Sequence, residues 1–260
     1  MKVLNKILDS LMTCFSMVWI SLKKASRKPF FFASFLLVFP LLTLIGFGLA
    51  IKGQFFFFNK KIKYITLLTT GIVPMMLLFT SAQFTTITIS NDRREGYLEL
   101  LMTTRVNKFS YLFYVAIFTA IMGIISSTVS LFAGIMLGAS IIFSPLLFLL
   151  ILLGSFALTG IGFLVSSYIK EYENAYIAIQ IIIFLQFFLS PIFYEEKALP
   201  SFLHFISEAM PLTYVLRAFR IIAILGPEYA SNALPSILAV LIISFITYAI
   251  GILFFKWHLE

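Results

Sequence analysis

The chain has 260 residues, of which 61% are hydrophobic and only 12% charged, and its mean hydropathy is +1.04. A soluble domain carries about 25% charged residues, so this chain has too few charges to cover an ordinary core with polar surface. The composition excludes a conventional soluble domain and makes lipid the solvent of most of the chain. The net charge of +8 arises from basic residues that flank apolar runs, which favours membrane lipid over nucleic acid as their partner.

The distribution of acidic residues and cysteine limits the chemistry further. No Asp or Glu lies between Ser10 and Asn91 or between Leu100 and Lys170. An unpaired charge at the centre of a bilayer costs about 2.5–3.5 kcal/mol, so these stretches are predicted to lie largely within the membrane. Cys14 is the single cysteine, which excludes an intramolecular disulfide bond and a cysteine-based metal site.

Residues 1–28 are predicted to form an amphipathic helix that lies on the membrane surface. Their apolar residues repeat at intervals of three and four, and the segment ends in the basic residues Lys23, Lys24, Arg27 and Lys28. A soluble helix packed on another subunit has the same pattern. The position of the segment directly before an apolar run favours the interfacial interpretation.

Six apolar stretches are long enough to cross a bilayer as helices. They cover residues 29–51, 65–89, 109–137, 145–168, 175–193 and 233–255. Phe55–Phe58, between the first two spans, are expected to form an aromatic cluster at the membrane interface. Close helix packing is expected at Gly134, Gly138, Gly154, Gly160 and Gly162. Residues 29–260 are thus predicted to form one all-α membrane domain with six transmembrane helices.

Residues 194–232 differ from the six spans. They combine charged residues with apolar stretches that are too short to cross the bilayer, and Pro211 interrupts them. Two short re-entrant helices that dip into the outer interface between spans five and six satisfy both features.

The positions of the basic residues predict the orientation of the chain. With the amino terminus in the cytoplasm, the larger share of the 19 Lys and Arg residues lies on the cytoplasmic side, as in most membrane proteins. The lysines between Lys52 and Lys63 depart from this rule. Six spans return the carboxyl terminus to the cytoplasm, so a multi-pass protein of the cell membrane with both termini inside is predicted.

The loop Asn91–Thr104, between spans two and three, carries charges of both signs. It contains three acidic and two basic residues followed by one apolar face: Asp92, Glu95, Glu99, Arg93 and Arg94, then Leu98, Leu101 and Met102. The pattern predicts a short amphipathic helix at the membrane surface. A docking element and an ordinary solvated loop both have this pattern.

No residue pattern in the sequence supports catalysis. The chain has no glycine-rich phosphate-binding loop followed by Lys and Ser or Thr, so it is not predicted to bind a nucleotide in that way. His204 and His258 are isolated, and neither has a metal-ligand partner at a useful spacing. The chain is therefore predicted to bind no metal or cofactor and not to be an enzyme.

Residues 94–103 resemble the signature of ABC-2-type exporter permeases, which reads approximately Glu-Arg/Lys-Glu-x-Gly-Thr-Leu-Glu-x-Leu. In that family the signature follows the second span, as it does here. The resemblance departs at Tyr97, where Thr is usual, and at Arg105, where Pro is common.

Two further segments are similar to the same family and occur in the family's order. Residues 199–220 resemble the stretch LPxWL…NPLTY…ALR before the last span, with Phe202 in place of Trp and Met210 in place of Asn. Arg27-Lys28-Pro29 is similar to the R-N-P entry to the first span. The three segments taken together support the resemblance more specifically than any one of them does alone.

The resemblance implies a permease subunit of an ATP-driven exporter for an amphiphilic drug, a lipid or a polysaccharide. Such permeases pair as homodimers and bind two ATPase subunits on the cytoplasmic side, where the ATPase subunits hold ATP and Mg. The implied ATPase-coupling residues are Asp92, Arg93, Arg94, Glu95, Gly96, Leu98, Glu99 and Met102. The implied outer gate includes Phe202, Phe205, Pro211, Leu212 and Tyr214.

Polar residues inside two of the spans are candidates for the substrate path. Spans two and five line the central path in similar permeases, and polar groups inside a membrane face protein or water rather than lipid. The residues in question are Thr80, Gln83, Thr86, Gln180 and Gln186. Hydrogen bonding between helices is the alternative role for all of them.

A self-contained secondary transporter or channel is the main alternative function. Ion coupling usually needs an Asp, Glu, Lys, Arg or His inside a span, and spans one to four contain none of these. A membrane enzyme that acts on lipid would need clustered acid–base or metal-binding residues, which the sequence lacks.

Overall fold

The computed structural model describes residues 2–27, 38–51, 53–58, 60–104, 106–194 and 200–255, and helices form most of this part of the chain. In chain order the elements are α1 (Lys2–Ser26), α2 (Phe39–Ala50), β1 (Gln54–Phe57), β2 (Lys60–Lys63), α3 (Tyr64–Arg94), α4 (Tyr97–Met102), α5 (Lys108–Met136), α6 (Pro145–Tyr168), α7 (Tyr172–Leu189), α8 (Ser201–Glu208), α9 (Pro211–Leu225), a 3-10 turn (Pro227–Tyr229) and α10 (Ala230–Phe254). Apart from one two-stranded hairpin, the described part of the chain is all-α, as predicted.

Five of the described helical segments are long and apolar enough to cross a membrane. They are α3, α5, α6, α7, and α10 with the turn before it, and their bounds agree with five of the predicted spans to within a few residues. The predicted first span, residues 29–51, is represented by α2 alone, because residues 28–37 lie outside the described part. The 12 residues of α2 extend about 18 Å, which is less than the roughly 30 Å of a bilayer core.

Helix α3 is the centre of the bundle. Helices α5, α6, α7 and α9 pack around it, α2 also contacts it, and almost every residue from Tyr64 to Ser90 is buried. Many of its side chains are Thr, Ser or Gln. Polar groups inside a membrane need protein partners, so this helix, rich in Thr, Ser and Gln, takes the position that lipid does not reach.

Hydroxyl groups connect α3 to its two main neighbours. The Oγ atoms of Ser81 in α3 and Ser155 in α6 lie 3.0 Å apart. Thr85 in α3 donates to Thr119 Oγ1 in α5 at 2.9 Å. These contacts are the hydrogen bonds between helices that polar residues inside spans are expected to make.

Small residues bring the helices close together. Four of the five glycines predicted to allow close packing do so, because a methyl group at each would overlap atoms of a neighbouring helix. They are Gly134, Gly154, Gly160 and Gly162. The prediction is wrong for Gly138, which has open space at the Cβ position and adopts a φ of 95° in the turn after α5.

A β-hairpin precedes α3. Strands β1 and β2 are antiparallel, with Gln54 opposite Lys63 and Phe56 opposite Lys61. The sequence predicts an aromatic cluster here without strands, whereas consecutive phenylalanines with alternating burial form a half-exposed strand. The bundle therefore has a hairpin end, where α3 begins, and a charged end, where α3 finishes at Arg94.

Helix α1 packs against α5 at the charged end. Three of its residues are buried in this contact: Cys14, Met17 and Val18. The Oγ of Ser21 lies 2.6 Å from the Oη of Tyr114 in α5. The opposite face of α1 exposes three large apolar side chains, each by 61–72%: Met12, Phe15 and Trp19. The predicted amphipathic helix thus has one apolar face on the bundle and a second apolar face directed away from it.

Candidate functional site at the charged end

The candidate site is built where α3 ends and the chain turns into α4. The backbone N–H of Glu95 donates to the carbonyl oxygen of Asn91 at 2.8 Å, and Gly96 then adopts a φ of 70°. This left-handed conformation is easy for glycine and strained for other residues, so Gly96 allows the sharp turn between the two helices. The carbonyl oxygen of Gly96 accepts from the N–H of Leu100 at 3.1 Å, which closes the first turn of α4.

The inner face of α4 fixes this loop to the bundle. Leu98 and Leu101 are 1% and 5% exposed and belong to a buried cluster with Tyr111 of α5 and residues of α1. Full burial of a leucine side chain contributes about 1.5–3 kcal/mol. Burial raises the pKa of the Tyr97 hydroxyl, and the nearby Asp92 carboxylate raises it further, so this hydroxyl stays neutral and able to donate.

The outer face of the loop combines charge with apolar surface. It consists of Arg94, Glu95, Glu99, Leu100 and Met102, and we call it the docking face. Leu100 is 60% exposed and Met102 is 36% exposed. The sequence pattern predicts that Met102 shares one apolar face with Leu98 and Leu101, whereas the structure places Met102 on the outer face. The pattern does not predict the position of Leu100. Apolar side chains surrounded by charged ones are typical of protein–protein interfaces, which have an apolar centre and a polar rim.

Arg93 points away from the docking face and is 4% exposed. Its Nη2 donates to the carbonyl oxygen of Ser166 at 3.1 Å, and its Nη1 donates to those of Ile169 and Lys170 at 3.4 Å. The last carbonyl groups of a helix have no partner within it, so Arg93 satisfies those at the end of α6. The ring of Phe255 lies 5.8 Å from the guanidinium carbon. Arg93 therefore joins the end of α3 to the turn between α6 and α7.

The residues on either side of Arg93 add to this junction. Asp92 Oδ2 accepts a hydrogen bond from Tyr111 Oη at 2.8 Å. The Arg94 guanidinium carbon lies 4.3 Å from the ring centroid of Tyr172, and the group lies 3.8 Å from a Glu173 carboxylate oxygen. Both partners of that ion pair are largely exposed, and such a pair contributes only about 0–1 kcal/mol. The buried contacts of Arg93 are therefore the stronger part of the junction.

The predicted path residues of α3 are buried inside the bundle. Thr80 donates within α3 at 2.5 Å, and Thr86 donates within α3 at 3.1 Å and to the carbonyl oxygen of Gly162 in α6 at 3.4 Å. Gln83 is 2% exposed, and its Oε1 has no hydrogen-bond partner among the described residues. The threonine hydroxyls are thus satisfied by backbone groups, whereas no described residue donates to Gln83 Oε1 in the centre of the bundle.

Gln186 of α7 contacts the predicted gate at the hairpin end. Its Oε1 accepts a hydrogen bond from the backbone N–H of Leu212 at 3.0 Å, and both residues are buried. This N–H lies in the first turn of α9, where it has no partner within the helix, so Gln186 caps α9. Pro211, Tyr214 and Gln180 are half-buried. The structure therefore brings one predicted path residue and one predicted gate residue into direct contact.

Helix α8 is the first of the two short helices predicted before the last span. It carries Phe202 and Phe205 on its outward face, where they are 67% and 79% exposed. On its inner side, the Oγ of Ser207 lies 3.2 Å from Thr213 Oγ1 in α9. The predicted gate thus has an exposed aromatic part on α8 and a buried part at the start of α9. Residues 195–199 of the predicted gate segment lie outside the described part.

Arg220 is a second buried arginine, 3% exposed, and it belongs to α9 at the hairpin end. Its Nη2 donates to the carbonyl oxygens of Pro191 and Ile192 at 3.0 and 3.2 Å, and its Nε donates to Thr70 Oγ1 of α3 at 3.4 Å. It fixes the segment after α7 to the first half of α3. In the sequence Arg220 ends the stretch 199–220 that resembles the family, and its place in an apolar helical run is a signal for burial.

These features together define a class of protein. A polar central helix is enclosed by long apolar helices, as in a multi-pass membrane protein, and no group of three His, Cys, Asp or Glu side chains in the described residues is arranged to hold a metal ion. The sequence profile of the family described as ABC-2 family transporter protein matches residues 58–253, so the chain belongs to this family. The family supplies the membrane component of ABC transporters, which has no ATPase site of its own. A search of curated proteins found no match to the chain.

Proposed function

We propose that the chain is the permease subunit of an ATP-driven exporter and that its docking face binds a separate ATPase subunit. The observation that carries this proposal is the division of residues 92–102 into a buried half and an exposed half. Leu98 and Arg93 fix the loop to the helices behind it, while the docking face presents charged and apolar groups to a partner. When the ATPase subunit moves the docking face, the contacts of Arg93 would move the turn between α6 and α7 with it.

The proposed topology has six spans, with residues 29–51 as the first, and places both termini in the cytoplasm. The charged end would be the cytoplasmic end of a protein of the cell membrane, in agreement with the excess of basic residues on that side. Helix α1 would lie in the interface, with Phe15 and Trp19 toward the acyl chains and Lys23 and Lys24 toward the headgroups.

The complete exporter would contain two copies of this chain and two ATPase subunits, with ATP and Mg bound to the ATPase subunits. Helices α7 and α10 direct most of their surface away from the bundle. These apolar surfaces supply area for contact with a second copy as well as with lipid.

The substrate path would follow α3 and α7, and the substrate would be an amphiphilic drug, a lipid or a polysaccharide. The unused Oε1 of Gln83 supports this path, because an unsatisfied buried acceptor costs about 1–3 kcal/mol. Water or a polar substrate would satisfy Gln83 when the helices separate. Phe202 and Phe205, exposed on α8, would form the outer gate with the same residues of the second copy.

Affinity purification of the chain from its native membrane tests the proposed partner. The wild-type chain should bring with it an ATPase subunit, recognised by its nucleotide-binding motifs in mass spectrometry. A charge-assisted hydrogen bond contributes about 1.5–3 kcal/mol, so the Glu95→Ala, Glu99→Ala double variant should bind the ATPase subunit at least about tenfold more weakly. Glu228→Ala, exposed at the hairpin end, is the matched control. Equal recovery of the ATPase subunit with all three proteins would refute the docking face.

A further inference from the structure

The hairpin end contains a cavity of about 380 Å³ that the proposed transport function does not use. It lies between β2, the start of α3, the loop after α5 and the end of α9. Isoleucines from three of these segments form its apolar wall. Its polar lining consists of Gln54, Lys60, Lys61, Lys63, Thr66 and Ser140. The cavity is therefore amphiphilic, with a strongly basic side.

The lysines of this cavity are not paired with acidic side chains in the described structure. Its lining contains no Asp or Glu, and none of Lys60, Lys61 and Lys63 forms an ion pair with a described residue. The acidic residues nearest to these lysines along the sequence are Asp9 and Asp92, while Glu228, four positions after the cavity residue Ile224, is exposed. Like charges along a short strand repel each other, and a bound anion would remove that repulsion.

The three lysines have different roles. Lys60 Nζ donates to the carbonyl oxygen of Ile224 at 2.6 Å, at the end of α9, so it holds the hairpin on the bundle. The ammonium groups of Lys61 and Lys63 make no hydrogen bond within the described part of the chain, and both side chains are exposed on the same face of β2. Gln54, paired with Lys63 across the hairpin, shares that face. Two ammonium groups and an amide are thus available to one ligand.

The hairpin lies where a membrane surface would be. Strand β2 leads directly into Tyr64, the first residue of the α3 span. Phe56, opposite Lys61, and Phe58 in the turn are 64% and 59% exposed. Apolar rings beside lysines suit the headgroup region, because the rings contact acyl chains while the ammonium groups reach the phosphates.

We propose that Lys61 and Lys63 bind the phosphate group of an anionic membrane lipid, whose glycerol and first acyl carbons enter the cavity along Ile141 and Ile142. Lysine binds phosphate as a point charge, and a volume of about 380 Å³ falls in the range of small-ligand pockets. This site is independent of the ATPase subunit and of the exported substrate.

Native mass spectrometry of the purified protein, titrated with phosphatidylglycerol or phosphatidylcholine, measures the binding. Each lysine close to lipid phosphate contributes about fivefold in affinity, so the Lys61→Gln, Lys63→Gln double variant should bind phosphatidylglycerol about 25-fold more weakly than wild type. The Lys23→Gln, Lys24→Gln variant removes the same charge at the other end and should retain the tightest-bound lipid. Equal binding by wild type and both variants, or equal loss in both variants, would overturn the proposal.

Two further measurements separate this site from misfolding and from a site for free anions. The Lys61→Arg, Lys63→Arg variant keeps the charge and should keep the lipid. Phosphatidylglycerol with a photoreactive headgroup should label residues 54–66 and 139–142 of the wild-type protein, and labelling confined to other segments contradicts the proposal. Inorganic phosphate that displaces the lipid at equal concentration would show a free-anion site instead and would likewise overturn it.

Discussion

Replacement of Arg93 by methionine is predicted to destabilise the charged end of the bundle. The substitution removes three hydrogen bonds and leaves the carbonyl oxygens of Ser166, Ile169 and Lys170 without this donor. Methionine keeps most of the length and the apolar contacts of the arginine stem, so the change is chiefly one of charge and donors. The bond of 3.1 Å to Ser166 is the strongest of the three, since the two at 3.4 Å are long for N–H···O bonds.

The size of the effect follows from these contacts. A hydrogen bond that involves a charged group contributes about 1.5–3 kcal/mol, and a buried carbonyl group left without a donor adds to the loss. Removal of a buried charge recovers part of its desolvation cost, so the net loss in the free energy of unfolding should be about 2–3 kcal/mol. For a chain of this size, such a loss lowers Tm by about 5–10 °C.

Thermal unfolding of the purified protein in detergent, followed by fluorescence-detected size exclusion, measures this shift. Arg94→Met is the matched control: its ion pair with Glu173 is largely exposed, so Tm should fall by less than about 2 °C. Arg93→Lys keeps the charge and one donor group, and its Tm should lie between those of wild type and Arg93→Met. Equal Tm values for Arg93→Met and Arg94→Met would refute the reasoning, because the buried carbonyl contacts would then contribute nothing measurable.

Two further predictions concern the hairpin end and the topology. Gln186→Leu should lower Tm by about 4–8 °C, because the buried backbone N–H of Leu212 in α9 loses its acceptor. Gln180→Leu is the control and should leave Tm unchanged, because Gln180 is half-buried and makes no hydrogen bond with a described residue. In a Cys14→Ser background, Lys61→Cys should react with an impermeant thiol reagent on intact cells and Gly96→Cys should not. Reaction at Gly96→Cys but not at Lys61→Cys would show that the orientation is the reverse of the one proposed.

The bounds of α5 and α6 could be predicted from the sequence because polar residues mark where these helices begin. Asn107 accepts a hydrogen bond from the N–H of Phe109, and Ser144 accepts one from the N–H of Leu147. Pro145 follows Ser144 and fits the first helical position. Each signal precedes a long apolar run, so the predicted spans 109–137 and 145–168 lie within one residue of the observed helices.

The direction of individual side chains could not be predicted. Arg93 and Arg94 are adjacent and chemically alike, yet they lie about 100° apart around the axis of α3. One is buried at the end of α6 and the other is exposed on the docking face. The same rotation separates Leu101, which is buried, from Leu100, which is exposed. Only the positions of the surrounding helices decide which neighbour turns inward.

The β-hairpin also could not be predicted from the sequence. Its turn places Phe58 at a φ of 47°, a conformation that is uncommon for any residue other than glycine and especially for a bulky one. Phe58 is not one of the residues, such as Gly, Asn or Asp, that usually indicate a hairpin turn at such a position. The pairing instead depends on the burial of Ile62 and on the contact of Lys60 with the end of α9, both of which are tertiary effects.

Photo-crosslinking from Leu100 tests most directly whether the docking face binds an ATPase subunit. A photoreactive phenylalanine analogue is placed at Leu100, or at Phe205 on the exposed face of α8, and the intact complex is irradiated in the membrane. The expected result is an adduct of permease and ATPase subunit from position 100 and none from position 205. Crosslinking of the ATPase subunit from position 205 alone, or from neither position in a complex that still co-purifies, would contradict the proposed coupling through the docking face.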